Sequence, residues 1–290
     1  MNDINIYDAV NSITNYAVYN TRMAKAIDDK LWFVKFLNML VFDEDAVVYD
    51  FGCADGELIR HLAPIFPNIL FVGIDNSDDM INLARQRQVF PNERYINTKE
   101  ISSKYVMNKT SIVIMSSIYH EIVNYCTDPI EEIKNVFQWI KPEYVLFRDM
   151  IPDDSINRNA LQSDIDKVEN KEWFDEVRNE IYDNQALMFK VYQGTFENQR
   201  NLVHFLMKYK YVENWDREVK ENYFPCTYNE LIKTFSNIFY PIYAKQYTLP
   251  YLKNLVKDEF DIDLMDNTHV NIIFKSKSNI NWFDNKTWGI

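Results

Sequence analysis

A seven-residue turn between an apolar run and a helical stretch limits this chain to few folds. AVVYDFG, residues 46–52, is a near-continuous apolar run, the pattern of a strand buried on both faces. It leads into DFGCADG, from Asp50 to Gly56, and ELIRHLAPIF then follows at helical spacing and stops near Pro67. Such a corner needs little side-chain bulk, because it must be tight, the backbone must approach a ligand, and the next helix must present free N–H groups. Gly52 and Gly56 meet the first two needs. ILFVGID reads as a second strand, and Asp75 at its end stands 19 residues after Gly56. A carboxylate there accepts the protons of both hydroxyls of a ribose.

The rest of the first half repeats the rhythm. SDDMINLARQRQ is a helix with Ser77 as N-cap and acidic residues in its first turn. RYINTKE reads as a third strand and SIVIMSSI as a fourth. DPIEEIKNVFQWIK is a helix capped by Asp128 with Pro129 at its first position, and YVLFRDM is a fifth strand. Strands alternating with helices predict a parallel sheet covered on both faces. Residues from about Ile6 to Leu40 carry helical spacing ahead of it. From about Pro152 to Phe224 the pattern is mainly helical and too long for a simple crossover, so it reads as an insertion or lid. YNELIKTFSNIF is a further helix, and YAKQYTLPY and HVNIIFKS read as two late strands forming a hairpin-like pair.

Two nucleotide readings compete at the turn. A nicotinamide cofactor prefers GxGxxG with its pyrophosphate on the helix N-terminus. Here the spacing is GxxxG, and Asp55 at the helix start repels a pyrophosphate. A sulfonium cofactor carries positive charge, which nearby carboxylates tolerate or favour. The stretch resembles the first motif of class I methyltransferases, an acidic residue followed by spaced glycines; FVGID with SDDMINLAR resembles their second motif, and HVNIIFKS their last strand. The resemblance covers roughly Val47 to Met150. It implies S-adenosyl-L-methionine as cofactor, with Asp50, Gly52, Cys53, Ala54 and Gly56 along its methionine part and Asp75 on the ribose. It places Asn76 and Met80 beside the adenine and Ser116 at the end of the fourth strand. Arg22, on an N-terminal helix that also carries Tyr16 and Tyr19, would meet the cofactor carboxylate; the plainer reading is a solvated arginine. Ala54 stands where the middle glycine is usual, and Asn97 and Thr98 where an acid often meets the adenine amine.

Methyl transfer is an in-line displacement in which positioning does most of the work, with a base needed only for a protonated acceptor. The carboxyl ends of the fourth and fifth strands border the cofactor crevice. SSIYHEI supplies His120, a base with a neutral-range pKa, Glu121 to orient it or bind substrate, and Tyr119 as a substrate contact. FRDM supplies Asp149 as a further catalytic group and Arg148 to bind a polar or anionic substrate; a plain salt bridge is the alternative. The aromatics of YVENWDREVKENYFP, Tyr211, Trp215, Tyr223 and Phe224, read as stacking surface on a lid or, at helical spacing, as core. His204 and His269 read as structural. No cluster has metal-ligand spacing, and Cys53, Cys126 and Cys226 form no CxxC pair, so no metal is expected.

Composition bounds the partners. The 290 residues are 47% hydrophobic, enough for a sizeable core, and the net charge of −12 disfavours phosphate backbones. Sparse cysteines and the lack of a basic start with an apolar stretch predict a cytoplasmic protein without a membrane span. The expected fold is α/β: a doubly wound, seven-stranded sheet, mostly parallel with a terminal antiparallel strand, plus a helical insertion. Its expected parts are an N-terminal helical segment (1–45), the cofactor-binding core (46–151), the insertion (152–227) and a C-terminal helix and strands that complete the sheet (228–290). The expected activity is methyl transfer from S-adenosylmethionine to an unidentified acceptor, a small molecule first and a nucleic-acid end such as a cap second. The rival from another class is a non-catalytic methyltransferase-like partner or scaffold.

Overall fold

A computed structural model describes residues 27–40, 46–101 and 110–289. The part of the N-terminal helical expectation that holds Tyr16, Tyr19 and Arg22 lies outside them. Seven strands form one sheet in the order β3-β2-β1-β4-β5-β7-β6: β1 (Ala46–Phe51), β2 (Leu70–Asp75), β3 (Glu93–Asn97), β4 (Thr110–Ser116), β5 (Tyr144–Asp149), β6 (Phe239–Tyr247) and β7 (His269–Ser276). β1 to β5 are parallel, with Asp50 opposite Gly73 on one side and Ile114 on the other. β7 is antiparallel. Ser276, its last residue, donates to Glu143 just before β5, and Thr268 and Lys277 at its two ends donate to Tyr247 and Ile238 at opposite ends of β6. The expected mostly parallel sheet with one antiparallel strand is therefore present. Sheet order reverses direction between β1 and β4, which opens a crevice at the carboxyl ends of those two strands.

Helices precede and separate the strands: α1 (Ile27–Lys30), α2 (Val34–Leu40), α3 (Glu57–Leu62), α4 (Asp78–Gln86), α5 (Tyr119–Tyr125) and α6 (Pro129–Ile140). α4 begins as expected, with Ser77 Oγ accepting from Met80 N at 3.2 Å. Asp128 caps α6 through Ile130 N and Glu131 N, with Pro129 in the first turn. The central strands are apolar throughout because both faces are covered; all six residues of β1 are buried. Phe33, Leu37, Leu58, Ile59, Phe71 and Ile114 share one core with them.

The chain divides into two compact units. Residues 27–149, 232–245 and 271–289 belong to the unit that holds most of the sheet, and residues 150–231 and 246–270 to a helical one. The second contains α7 (Gln162–Glu169), α8 (Glu176–Tyr192), α9 (Gln199–Lys208), α10 (Trp215–Glu218), the start of α11 (Tyr228–Phe235) and α12 (Pro250–Phe260). Its own core is aromatic: Tyr182, Phe189, Phe205, Tyr209, Trp215, Tyr223 and Phe224 are buried together. Three of the four aromatics singled out between Tyr211 and Pro225 are thus packing residues. Lys208 is fully buried there and donates to the carbonyls of Glu218 and Glu221, with its ammonium 4.0 Å from the Tyr223 ring centroid. Burial lowers its pKa to about 8.

Three expectations shift. The helix expected over 228–239 stops at Phe235, and β6 starts at Phe239. The strand expected to run through Pro250 ends at Tyr247, and Pro250 opens α12 instead. A proline has no N–H to lose at a helix start and its φ is preset for the first turn. The last two strands are accordingly joined through a helix and not by a tight hairpin. α13 (Asn285–Trp288) closes the chain and buries Trp288.

Candidate functional site

The turn after β1 takes its shape from three left-handed residues at alternate positions: Gly52 (φ 80), Ala54 (φ 46) and Gly56 (φ 81). Space as well as conformation demands glycine at two of them. A Cβ on Gly52 would come within 2.5 Å of the Ile118 side chain, and one on Gly56 within 2.5 Å of the Tyr95 ring. Ala54 carries a methyl in a conformation that costs an L-residue roughly 1 kcal/mol. Gly52 N and Cys53 N both donate to Ile74 O, at 2.8 and 3.1 Å, which ties the corner to β2. The Cys53 thiol faces inward and joins the core, beside Gly73, and burial raises its pKa.

Asp75 meets this corner from β2. Its Oδ2 accepts from Ala54 N and its Oδ1 from Ser77 N, each at 2.9 Å. The carboxylate is therefore aimed, yet each oxygen keeps a second lone pair for a ribose hydroxyl. Asn76 and Met80 follow on the same segment, both half-buried. Asn97 is spent locally: its amide donates to Asn76 O and Asp78 Oδ1, and its oxygen accepts from Lys99 N. Asp55 carries Arg60 and Arg87, so the acid at the start of α3 is neutralised by the protein itself.

Asp50, two residues before Gly52, is buried at 3% exposure and accepts no hydrogen bond among the described residues. Burial pushes its pKa up to about 7, against the pull of Lys30 and with a further push from Asp75. Lys30, which the sequence reading passed over in favour of Arg22, ends α1. Its pKa is lowered by burial and by Arg148, while Asp50, Glu57 and Glu121 hold it up. Ser116 ends β4, and its buried hydroxyl has no partner among the described residues. A glycine-lined corner, an aimed carboxylate at ribose spacing, an unsatisfied buried carboxylate and an orphaned hydroxyl suit a cationic, hydroxyl-bearing ligand. These residues fit S-adenosylmethionine.

The carboxyl ends of β4 and β5 are built around two acids. Asp149, fully buried, accepts from Tyr119 N at 2.7 Å and His120 N at 3.3 Å through Oδ2, and its Oδ1 lies 2.7 Å from His120 Nδ1. One carboxylate thereby caps α5 and fixes the histidine ring. Ser117, left-handed at φ 59, makes the corner between β4 and α5, and its N–H donates to Arg148 O at 2.8 Å. Arg148 donates from Nε to Asp29 Oδ2 at 2.6 Å and from Nη1 to Ser117 Oγ at 2.7 Å. That guanidinium anchors α1 to β5, the salt-bridge alternative of the sequence reading. Tyr119 packs its ring between Phe147 and Phe235, at 5.7 and 5.9 Å. His120, Glu121 and Asp149 are thus brought to the strand ends that carry Ser116, while the Arg148 and Tyr119 side chains are engaged within the protein.

Strand order, the switch point and the corner are those of a class I methyltransferase fold, a class whose methyl donor is S-adenosylmethionine. Residues 49–146 match the family model described as a methyltransferase domain. A curated relative, the malonyl-[acyl-carrier protein] O-methyltransferase of Halalkalibacterium halodurans, is 24% identical over 153 residues, which are 51% of this chain and 52% of the relative. The chain spans about half the length of the curated relative it matches. Among solved structures, a SAM-dependent methyltransferase from Anabaena variabilis aligns at 13% identity over 95% of this chain and 96% of its own, with a TM-score of 0.46. A plantazolicin methyltransferase in complex with a triazolic desmethyl analogue and SAH aligns at 12% identity over 95% and 92%, with a TM-score of 0.45. Among the described residues, no helix is long and apolar enough to cross a membrane.

Proposed function

We propose that this chain transfers the methyl group of S-adenosylmethionine to a hydroxyl oxygen of a small molecule, with His120 as general base. The observation that carries this is the 2.7 Å contact between His120 Nδ1 and Asp149 Oδ1. With Asp149 ionised, the proton sits on Nδ1 and Nε2 is the basic nitrogen of the neutral ring. Asp149 is itself held by two backbone N–H groups and cannot swing away. It acts as a positioning residue.

Bound in the crevice, S-adenosylmethionine supplies an electrophilic methyl carbon on a sulfonium. Asp75 holds the ribose through its two free lone pairs, and Asp50 balances the positive end of the methionine part. When bound, the cofactor would supply its methyl carbon to the acceptor oxygen and would keep the carbon–sulfur electron pair on sulfur. The hydroxyl proton passes to His120 Nε2. A base in this position is worth about 10²- to 10⁴-fold. The curated relative is named for O-methylation, which supports oxygen as the acceptor atom. The net charge of −12 and the internal engagement of Lys208 and Arg148 count against a nucleic-acid end. The three free thiols fit a cytoplasmic setting.

The test is a labelled-methyl screen of hydroxylated small molecules, followed by variants on the acceptor that responds. His120→Ala is expected to lower kcat by about 100-fold or more while SAH affinity stays within about twofold. Asp149→Asn is expected to lower kcat and to move the acid limb of its pH profile, because the ring loses its fixed tautomer. Unchanged turnover in His120→Ala removes the base. Cofactor binding without any methyl transfer favours the scaffold reading.

A further inference from the structure

α8 is apolar on two sides, and one of them faces solvent. Tyr182 and Phe189 point into the aromatic core of the helical unit, and Gln185 is buried with them. On the side turned away, Val177, Leu187 and Val191 are 66%, 63% and 74% exposed, and Phe174, just before the helix, is fully exposed. Single apolar residues on a surface are ordinary, but a helix that is apolar all round belongs in an interior. Here the positions also line up. Val177, Ile181, Asn184, Leu187 and Val191 share one stripe, about 120° wide and about 21 Å long at 3.6 residues per turn. The stripe is symmetric about the exposed Asn184. Ile181 and Leu187 stand three residues before and after it, and Val177 and Val191 seven residues before and after it. The charge runs the other way. The exposed acids Glu176, Glu180 and Asp183 come before Asn184, while Lys190 follows it and the exposed Lys220 holds its ammonium 5.8 Å from the Tyr192 ring.

We propose that α8 is a two-fold interface, on which a second copy of this chain docks with its own α8 antiparallel and Asn184 at the axis. A two-fold axis through that residue makes the stripe its own complement, as an interface between identical chains requires. Val177 then meets the partner's Val191, and Ile181 meets the partner's Leu187. The acidic first half of one helix lies along the basic end of the other, so Glu176 faces the partner's Tyr192 and the partner's Lys220. A parallel pairing would set acids against acids and align the two helix dipoles unfavourably. The amide of Asn184 carries both donors and an acceptor, so it can pair with the partner's Asn184. A polar residue inside an apolar seam fixes the register at some cost in affinity. A seam of this length is at the small end of specific interfaces, and a dissociation constant on the order of 10 µM is expected.

Sedimentation equilibrium of the full chain from about 1 to about 200 µM tests this, since that range brackets the expected constant. The native chain should shift from the mass of one chain towards that of two. Val177→Glu and Val191→Lys each put an unpaired charge into the seam, and each should weaken association by about tenfold or more. Both substitutions in one chain set opposite charges face to face across the axis and should recover most of the loss. A parallel pairing, or an interface on another face, gives no such recovery, because the two positions are about 21 Å apart within one helix. A native chain that stays single at the highest concentration overturns the proposal. So does a dimer that neither substitution weakens, or a loss that the double variant fails to restore. Both altered side chains are exposed, and thermal melts at the lowest concentration within about 2 °C of the native chain keep a folding defect from imitating the loss.

Discussion

Asp75 shows how a single side chain can be aimed without being used up. Two backbone N–H groups, from Ala54 and Ser77, fix its two oxygens on separate segments of the fold. The remaining lone pairs are left for the ribose hydroxyls of the proposed donor. Replacing Asp75 with Ala removes charge-assisted hydrogen bonds to the ligand, and should weaken S-adenosylhomocysteine binding by about 1–3 kcal/mol. Calorimetry checks this, and an unaltered affinity in a folded variant would contradict the ribose assignment. Asp149 follows the same logic one crevice wall away, as it both caps α5 and fixes His120. The identity of these acids could be read from the sequence. Their partners could not, because Asp75 reaches back to Ala54 and Asp149 to Tyr119 across 21 and 30 positions.

At the scale of elements, the corner after β1 holds two conflicting demands. Gly56 is required: it is left-handed and faces the Tyr95 ring. Ala54 is left-handed without being glycine. Opposite effects follow for opposite substitutions. Gly56→Ala combines backbone strain with overpacking and should destabilise by about 1–3 kcal/mol. Ala54→Gly removes a strained Cβ and should stabilise by up to about 1 kcal/mol, the gain being trimmed by extra freedom in the unfolded chain. Denaturant titrations of the two variants measure both, and a loss of stability in Ala54→Gly would show that its methyl packs usefully. The sequence made this element legible because strand, turn and helix are encoded side by side, and β2, β4 and β5 were legible for the same reason, each being a short apolar run. α5 was not, since its cap, Asp149, lies in another strand and Ser117 interrupts the local pattern with φ 59. α12 was hidden by Pro250, which punctuates a strand and opens a helix equally well.

Across the whole molecule, acid groups outnumber basic ones by 43 to 31. Asp50 is an acid whose ionisation burial opposes, and its titration should be visible in the behaviour of the entire chain. Its native pKa of about 7 stands above the ordinary 3.8, so the native state keeps a proton that the unfolded chain has released. Unfolding then releases a proton between those limits, and the contribution of Asp50 to stability is largest below about pH 4, declines as pH climbs to about 7, and levels off beyond. Lys30 from α1 opposes this shift and Asp75 from β2 adds to it. A ligand ammonium reverses the preference, because it binds the ionised carboxylate. Binding of S-adenosylhomocysteine near pH 6.5 should therefore expel a proton, with affinity rising toward pH 7 and flattening above it. Calorimetric titrations in two buffers of different ionisation enthalpy give the count directly. Up to one proton is expected from the native chain and none from Asp50→Asn; identical apparent heats in both buffers for the native chain would mean that Asp50 does not meet the ligand's positive end.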